Sequence, residues 1–539
     1  MAKRQLKQTK KSAGNGISDL IKELWNSAVT LRGSIEPADY KRYVLPIIFL
    51  RFLSMRFEKR RLELVEKISD QKSEYYTKSK KEADAILNDP DEYRSVGAFV
   101  VPEKARWDYI LEHAQDDDIK VKLDDALETL ETTYIEKLRG LLPRIYAGSN
   151  MEREHVTGMI NLFSKDIFKQ DHGGVDLLGR VYEYFIGEFA SSEGKRGGEY
   201  FTPQSIVQCL VRMLEPEEGI VYDPCCGAGG MFVQSDIFTQ HNHKLSFFGQ
   251  ESKDFTYRLC KMNLFIHGID GNIQLGNTYV DDKHATVKAD FILANPPFND
   301  GAKSEKGWGS DRIPDKDPRL VLGTESMPLS PRNANTMWIM HFLHHLKEDG
   351  TAGFVMATGE LSNSEIARHK VRKNLIENDY VDCIVQLSGQ LFANTQIPCG
   401  LWFLSKNRAG HAGFRKRTGE ILFIDGRRLG SLILGSRKQK QLSEEELERI
   451  STIYRIFRRT GLPDELPGFC KVVTVKEVRD QKYALTPGRY VGTEEPEDED
   501  EPFEERMPLL LEKLRKDFSK ANELEAAINK ELKEIGFEF

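Results

Sequence analysis

The chain has 539 residues, 40% hydrophobic and 30% charged, with a formal net charge of −7. It is long enough for roughly two to four domains and polar enough to be globular rather than disordered. It has no uninterrupted apolar run of about 18 residues, which excludes a membrane-spanning helix. The negative balance excludes a uniformly basic surface, so any grip on nucleic acid calls for a local basic patch or a partner that supplies the charge.

Residues 1–15 are basic and lack the apolar stretch of a secretory leader, so a loose tail and a cytoplasmic chain are expected. Residues 16–168 read as a helical domain. Apolar positions fall at helical spacing in Ile17–Asn26, Pro46–Phe57 and Ala126–Leu142, and a highly charged stretch, Glu58–Asp91, lies between them. From 169 to 480 short apolar runs alternate with amphipathic segments. The runs are Gly219–Tyr222, Leu245–Gly249, Asn272–Leu275, Asp290–Ala294, Ala352–Ala357, Asp382–Leu387 and Leu401–Leu404. Among the intervening segments, Lys253–His267 is stopped by Gly268, and Thr336–Leu346 by Asp349–Gly350. Strands separated by helices predict a doubly wound, Rossmann-like α/β sheet of parallel strands, with ligands at the strands' carboxyl ends. Residues 481–505, acidic from Thr493 to Glu505, read as a linker. Over 506–539, Met507, Leu511, Leu514, Phe518, Ala521, Ile528 and Leu532 form a narrow apolar seam broken by Glu525, which suits pairing with another helix or packing back on the chain.

Seven cysteines occur, an odd number with no C-x-x-C pair, so reduced thiols are expected and no metal site is read. Four short elements carry chemistry. In VYDPCCGAGG, Val221 to Gly230, a strand ends in an acid and a glycine turn. Phe232 stands where a phosphate-binding G-x-G-x-x-G would need glycine, and no lysine-bearing P-loop exists, so the turn suits a ligand without phosphates. Asp223 is placed to receive a ligand's amino group. In FFGQE, Glu251 ends the next strand, about 20 residues on, where such folds hold ribose hydroxyls. In DFILANPPF, Asp290 to Phe298, a buried strand ends in Asn295, Pro296, Pro297 and Phe298. The two prolines remove two N–H donors and stiffen the turn. The carbonyls of Asn295 and Pro296 and the Asn295 side chain are then free to accept bonds from an NH2 group, and Phe298 offers a face for a flat ring. Upstream, GEYFTPQ, Gly198 to Gln204, reads as a loop leading into a helix with Thr202 as N-cap and Pro203 at the first helical position. Each element alone has a plainer reading as an ordinary turn; their order is what speaks for a site.

GEYFTP, DPCCGAGG, FFGQE and NPPF, in that order, resemble the N6-adenine DNA methyltransferases, and in particular the modification subunits of type I restriction-modification systems. LLGRVYEYF (Leu177 to Phe185) and the QIPCG stretch (Gln396 to Gly400) fit the same family. The resemblance implies S-adenosyl-L-methionine as cofactor, held by Glu199, Tyr200, Phe201, Thr202, Pro203, Gln204, Asp223, Gly227, Ala228, Gly229, Glu251 and Asn277. It implies catalysis at Asn295, Pro296, Pro297 and Phe298 on a flipped-out adenine. It further implies a DNA-specificity subunit, with two modification subunits to one such subunit, and an ATP-driven restriction subunit as a third component. An RNA or a protein glutamine amide presents the same NH2 geometry and stands as the alternative acceptor. A cytosine-C5 enzyme needs a Pro-Cys nucleophile after the fourth strand, whereas Pro224–Cys225 lies in the glycine turn and Pro398–Cys399 far downstream. The polar connection 299–336, with Lys303, Lys306, Trp308, Arg312 and Arg319, is expected to order over DNA. Arg415–Arg417 and Arg427–Arg428 are read as candidate phosphate contacts or a solvated face.

Overall fold

The computed structural model describes residues 21–31, 33, 35, 37–165, 168, 181–182, 184–188, 202–299, 313–314, 316–331, 333–392, 396–433 and 439–493, with single positions between 507 and 529. The helical region is organised around α1 (Pro37–Ser69), a 33-residue helix that carries Pro46 inside it. From Val44 to Leu53 nearly every residue of α1 is buried, which is the pattern of a helix enclosed by others rather than lying on a surface. Arg51, 1% exposed, closes the bundle by donating from Nε to the Phe163 carbonyl at 3.1 Å.

The α/β region follows with α2 (Gln204–Leu214), β1 (Gly219–Asp223), α3 (Gly230–Phe238), β2 (Leu245–Glu251), α4 (Asp254–His267), β3 (Gly271–Leu275) and β4 (Ala289–Ala294). Then come α5 (Asn335–His345), β5 (Leu346–Ala357), α6 (Ile366–Glu377), β6 (Val381–Leu387), β7 (Cys399–Ser405), β8 (Glu420–Gly426), α7 (Glu444–Arg459) and β9 (Cys470–Thr474). The nine strands lie in the order β9-β8-β6-β7-β5-β4-β1-β2-β3. Because side chains alternate across a strand, each strand feeds two cores. Val221, Leu293, Val355, Val385 and Leu401 pack on the side of α2 and α7, while Tyr222, Ile292, Phe354, Ile384 and Trp402 pack on the side of α5 and α6. The helical region is joined to this sandwich through α4, where Phe99 stacks on Phe265 with ring centroids 4.1 Å apart.

All seven expected strands are present, but the sheet is mixed. β7 runs antiparallel to both β5 and β6, and β9 is antiparallel to β8. β8 and β9 were not anticipated. Helix α5 does not stop at Asp349–Gly350: it passes into β5 at Leu346, and the glycine lies inside the strand. An added Cβ on Gly350 would meet the Ala289 carbonyl at 2.7 Å, so this glycine serves close strand approach. The expected helix Ala126–Leu142 is two helices, Ile119–Thr133 and Ile135–Leu138. The start of the expected linker, 481–493, packs on the sheet. Leu485 and Val491 are buried and the Tyr490 ring stacks on Phe423. The acidic run from 494 to 506 lies outside the described residues. In the tail, Met507, Leu511, Leu514 and Phe518 are helical and exposed, whereas Ile528 and Leu532 lie outside the described residues. Among the described residues no helix is long and apolar enough to cross a membrane.

The basic candidates have internal duties. Arg319, 6% exposed, donates to the carbonyls of Thr278 and Tyr279, each at 2.7 Å, and pairs with Asp317. It therefore faces the core and not DNA, and the stretch around it holds a 3-10 turn and a two-stranded hairpin. Lys303, Lys306, Trp308 and Arg312 lie outside the described residues. Arg417 is enclosed against Asp382 and Arg415 bonds Glu420, whereas Arg427, paired with Asp425, keeps about half of its side chain exposed and stays a candidate surface cation.

Candidate active site

The strand order reverses between β1 and β4, whose parallel register sets Tyr222 beside Ile292. Two neighbouring strands whose connections depart in opposite directions leave a crevice at their carboxyl ends. Here those ends are Asp223 and Asn295, so the topology brings together two elements some seventy residues apart in the chain, as the Ile220 N–H bond to Asp290 also records.

Asp223 is 2% exposed. Its Oδ1 accepts the Cys225 N–H at 3.0 Å, closing the start of the glycine turn. Burial pushes its carboxyl up to about 7, despite the two Cys225 hydrogen bonds, and the nearby Glu251 charge adds to the rise. Glu251, at the end of β2, reaches the same turn: its Oε2 accepts the Gly227 N–H at 3.1 Å and its Oε1 the Lys253 N–H at 2.9 Å. Gly229 donates to the Cys226 carbonyl at 2.8 Å, and the Ala228 carbonyl accepts from Asn263 at 2.9 Å. The N–H groups of Gly227 and Gly229 are thus spent inside the protein, unlike a phosphate cradle, where they face outward. Gly227 has φ +55°, and nothing stands within 4 Å of where its Cβ would be. The turn therefore offers two acids and an open backbone surface to a ligand bearing an amine and hydroxyls.

Asn277 follows β3. Its Oδ1 accepts the Tyr279 N–H at 2.9 Å, capping a short turn, and the neighbouring Thr278 hydroxyl donates to the Pro224 carbonyl at 2.6 Å. Sequence reasoning placed Asn277 near the cofactor but did not foresee that Thr278 ties its turn to the glycine turn or that Arg319 holds the Thr278 and Tyr279 carbonyls. It also missed the buried group Asp282, His341 and His345, whose ligand-type atoms all lie within 4.8 Å of one another. His341 meets the Tyr222 hydroxyl at 3.0 Å and the Arg319 guanidinium at 3.4 Å. His345 sits between the Val287 carbonyl at 2.8 Å and Asp282 at 2.9 Å. With an arginine against one ring and a carboxylate against the other, the group reads as a buried polar network behind β1, built from residues too scattered to form a motif.

Asn295 is half-buried at the end of β4. Its Nδ2 donates to the Thr202 hydroxyl at 2.8 Å. Its Oδ1 is closed off from solvent and has no hydrogen-bond partner among the described residues. A buried acceptor left without a donor costs about 1–3 kcal/mol, so this oxygen favours any ligand that brings an N–H. The Thr202 hydroxyl accepts from the amide nitrogen and so fixes the oxygen as the free end of the amide. Thr202 is therefore not an N-cap: the cap position belongs to Pro203, which lacks a side-chain cap bond, and α2 begins at Gln204. Glu199, Tyr200 and Phe201 lie outside the described residues. Pro296 is buried and Pro297 partly so. The Phe298 ring is partly exposed and meets Phe392 edge-on, centroids 6.1 Å apart at 82°. No cysteine here is a ready nucleophile: burial pushes the Cys399 thiol up to about 12 and raises that of Cys225 well above its usual range.

An acid-bearing glycine turn, a second acid on the next strand and an Asn-Pro-Pro-Phe turn at the switch point define a methyltransferase of the amino-methylating class, and the chain belongs to the N-6 DNA methylase family, whose pattern matches residues 173–499. The family of HsdM N-terminal domains matches residues 20–163. The type I restriction enzyme MjaIX methylase subunit of Methanocaldococcus jannaschii is 39% identical over 522 residues, 96% of this chain and 91% of that protein. The HindI methylase subunit of Haemophilus influenzae is also 39% identical, over 430 residues, 77% of this chain and 92% of that protein. The fold is shared with a type I restriction-modification methyltransferase subunit from Streptococcus thermophilus, with a TM-score of 0.68 and 24% identity, covering 88% of this chain and 99% of that one.

Proposed function

We propose that this chain is the modification subunit of a type I restriction-modification complex and transfers a methyl group from S-adenosyl-L-methionine to N6 of a flipped-out adenine in DNA. The observation that carries the reading is the Asn295 amide, which is anchored on Thr202 and holds an unpartnered oxygen beside the glycine turn. When bound, the cofactor supplies an electrophilic methyl group on a sulfonium. The residues present fit it: Asp223 takes the amino group of its methionine portion, Glu251 its ribose hydroxyls, and Asn277 lies by its adenine. Gly227 leaves the turn's surface open, Gly229 lets the turn pack closely on Cys260, and Ala228 adds only a methyl group. Thr202, Pro203 and Gln204, with Glu199, Tyr200 and Phe201 outside the described residues, are assigned to the cofactor's carboxylate group.

An exocyclic amine is a poor nucleophile because its lone pair is delocalised into the ring. Asn295 Oδ1 and the Pro296 carbonyl accept its two N–H bonds, which localises the lone pair and aims it. Pro296 and Pro297 keep the turn rigid, and Phe298 stacks on the base. A stacked base cannot enter this crevice, so the nucleotide must leave the duplex. The amide oxygens orient the amine without taking its proton, which passes to water after transfer.

The net charge of −7 and the internal pairing of Arg319, Arg415 and Arg417 support a division of labour in which a DNA-specificity subunit provides most of the grip, with two copies of this chain per such subunit. An ATP-dependent restriction subunit joins the same complex, and the assembly works in the cytoplasm. Residues 16–168 and 169–480 serve as the helical and methyltransferase domains, and 506–539 as a partner-binding helix. The test is co-purification with the products of neighbouring genes, followed by transfer of labelled methyl to DNA, RNA or protein and mapping of the modified base. N6-methyladenine at one defined sequence, lost in Asn295→Ala, is expected. Label in RNA or in protein glutamine with none in DNA overturns the reading.

A further inference from the structure

The residue that follows Phe298 is held by a buried relay. Asn299 has φ +52°, in the left-handed region that non-glycine residues enter at a cost. Its N–H donates to Asn335 Oδ1 at 3.0 Å, and its own Oδ1 accepts from Asn335 Nδ2 at 3.0 Å. This is a reciprocal clamp between the exit of the Asn-Pro-Pro-Phe turn and the first residue of α5. Asn335 is fully buried, and its Nδ2 also donates to Glu360 Oε2 at 3.0 Å. Glu360, 2% exposed, is in turn engaged by the Arg368 guanidinium, whose Nε lies 3.0 Å from both carboxylate oxygens. Arg372 ties down the same segment through the carbonyls of Glu360 at 3.2 Å and Asn363 at 2.9 Å.

Every hydrogen of the Asn335 amide group is spent, and the chain of bonds ends in a charge pair inside the protein. Such a relay is stiff because moving any member leaves a buried polar group unpaired. Its outer end, Asn299, is exposed. The clamp on Asn335 pins the backbone just after Phe298 while the Phe298 ring meets Phe392 edge-on.

We infer that Asn335, braced by Glu360 and Arg368, is a positioning residue: through Asn299 it locks the Asn-Pro-Pro-Phe turn so that the Phe298 face and the Asn295 and Pro296 acceptors meet the target amine in register. This rests on the amine-methylating reading of the site. A misplacement of about 1 Å at a reacting group costs on the order of 100-fold in rate, so the relay acts on turnover and not on cofactor affinity.

The test uses the chain with its co-purified partner, a duplex carrying the recognised site with its target adenine unmethylated, and the same duplex with 2-aminopurine at the target position. Asn299→Gly keeps the positive φ but removes the side-chain arm, and its exposure makes it safe for folding. Asn335→Ala removes the relay at its centre. The expected result is a kcat about 10- to 100-fold lower in both, with cofactor Kd and thermal midpoint unchanged in Asn299→Gly, a weaker 2-aminopurine signal, and kcat regained in Asn299→Asp, which keeps the acceptor. A wild-type kcat in Asn299→Gly, or equal losses in Asn299→Gly and Asn299→Asp, overturns the positioning role. A wild-type complex that methylates no DNA refutes instead the reading on which it rests.

Discussion

Asn295 Nδ2 donates to the Thr202 hydroxyl at 2.8 Å, joining the end of β4 to the segment that enters α2, 93 residues earlier in the chain. The bond decides which way the amide of the Asn-Pro-Pro-Phe turn faces. Thr202→Val removes the partner while keeping the shape. Methyl transfer is expected to fall by about 10- to 100-fold. Thr202→Ser is expected to retain most activity. Steady-state kinetics with separate kcat and KM values on both variants check this.

Asp223 predicts a pH dependence. Its carboxyl is pushed up to about 7 by burial, above its ordinary value of 3.8. Between those values the folded state holds a proton that the unfolded state has lost, so stability falls as pH rises through this window and levels off above about 7. A ligand bringing an amino cation favours the ionised carboxylate. Cofactor affinity should therefore rise with pH up to about 7, by as much as roughly tenfold per unit at the steepest. Binding at pH 6 should release a proton, counted by calorimetry in buffers of different ionisation enthalpy. Asp223→Asn should bind more weakly and release none.

Gly229 has φ +81°, and an added Cβ would stand 2.9 Å from Cys260 Sγ. Gly229→Ala combines backbone strain with a clash and is expected to cost about 1–3 kcal/mol and to weaken cofactor binding. Adding Cys260→Ala removes the sulfur but not the strain, so only part of the loss should return. Chemical denaturation of the single and double variants separates the two contributions.

Asp382, fully buried, accepts from Arg417 at 2.7 and 3.1 Å and from the Tyr454 hydroxyl at 2.7 Å, with Arg408 also against it. Asp382→Ala strands two buried guanidinium groups and should cost on the order of 3–5 kcal/mol. The loss should appear as a large drop in the thermal midpoint, although the residue lies well away from Asn295 in the sheet order.

The chemistry-bearing elements were open to sequence reasoning because each is local. Phe232 rules out a phosphate cradle, the two prolines after Asn295 expose carbonyls, and Glu251 stands at a fixed step beyond the glycine turn. The seven strands were readable too, since buried strands are short apolar runs. Asp349–Gly350 misled because glycine serves both a helix stop and a close strand contact, and only the position of Ala289 tells them apart. The direction of β7 was hidden for a similar reason: apolar runs buried on both faces look the same whether parallel or antiparallel.

By itself, the sequence determined the order of seven of the strands, the nature of the two ends of the crevice and the family. The tertiary structure alone decided how the polar side chains are shared out. Thr202 went to Asn295 and not to a helix cap, Arg319 to the carbonyls of Thr278 and Tyr279 and not to DNA, and Asn335 to the residue after Phe298. The physical reason is that a hydrogen bond depends on a separation of about 3 Å in space, and a chain that folds through crossovers brings together residues whose spacing in sequence carries no trace of the encounter.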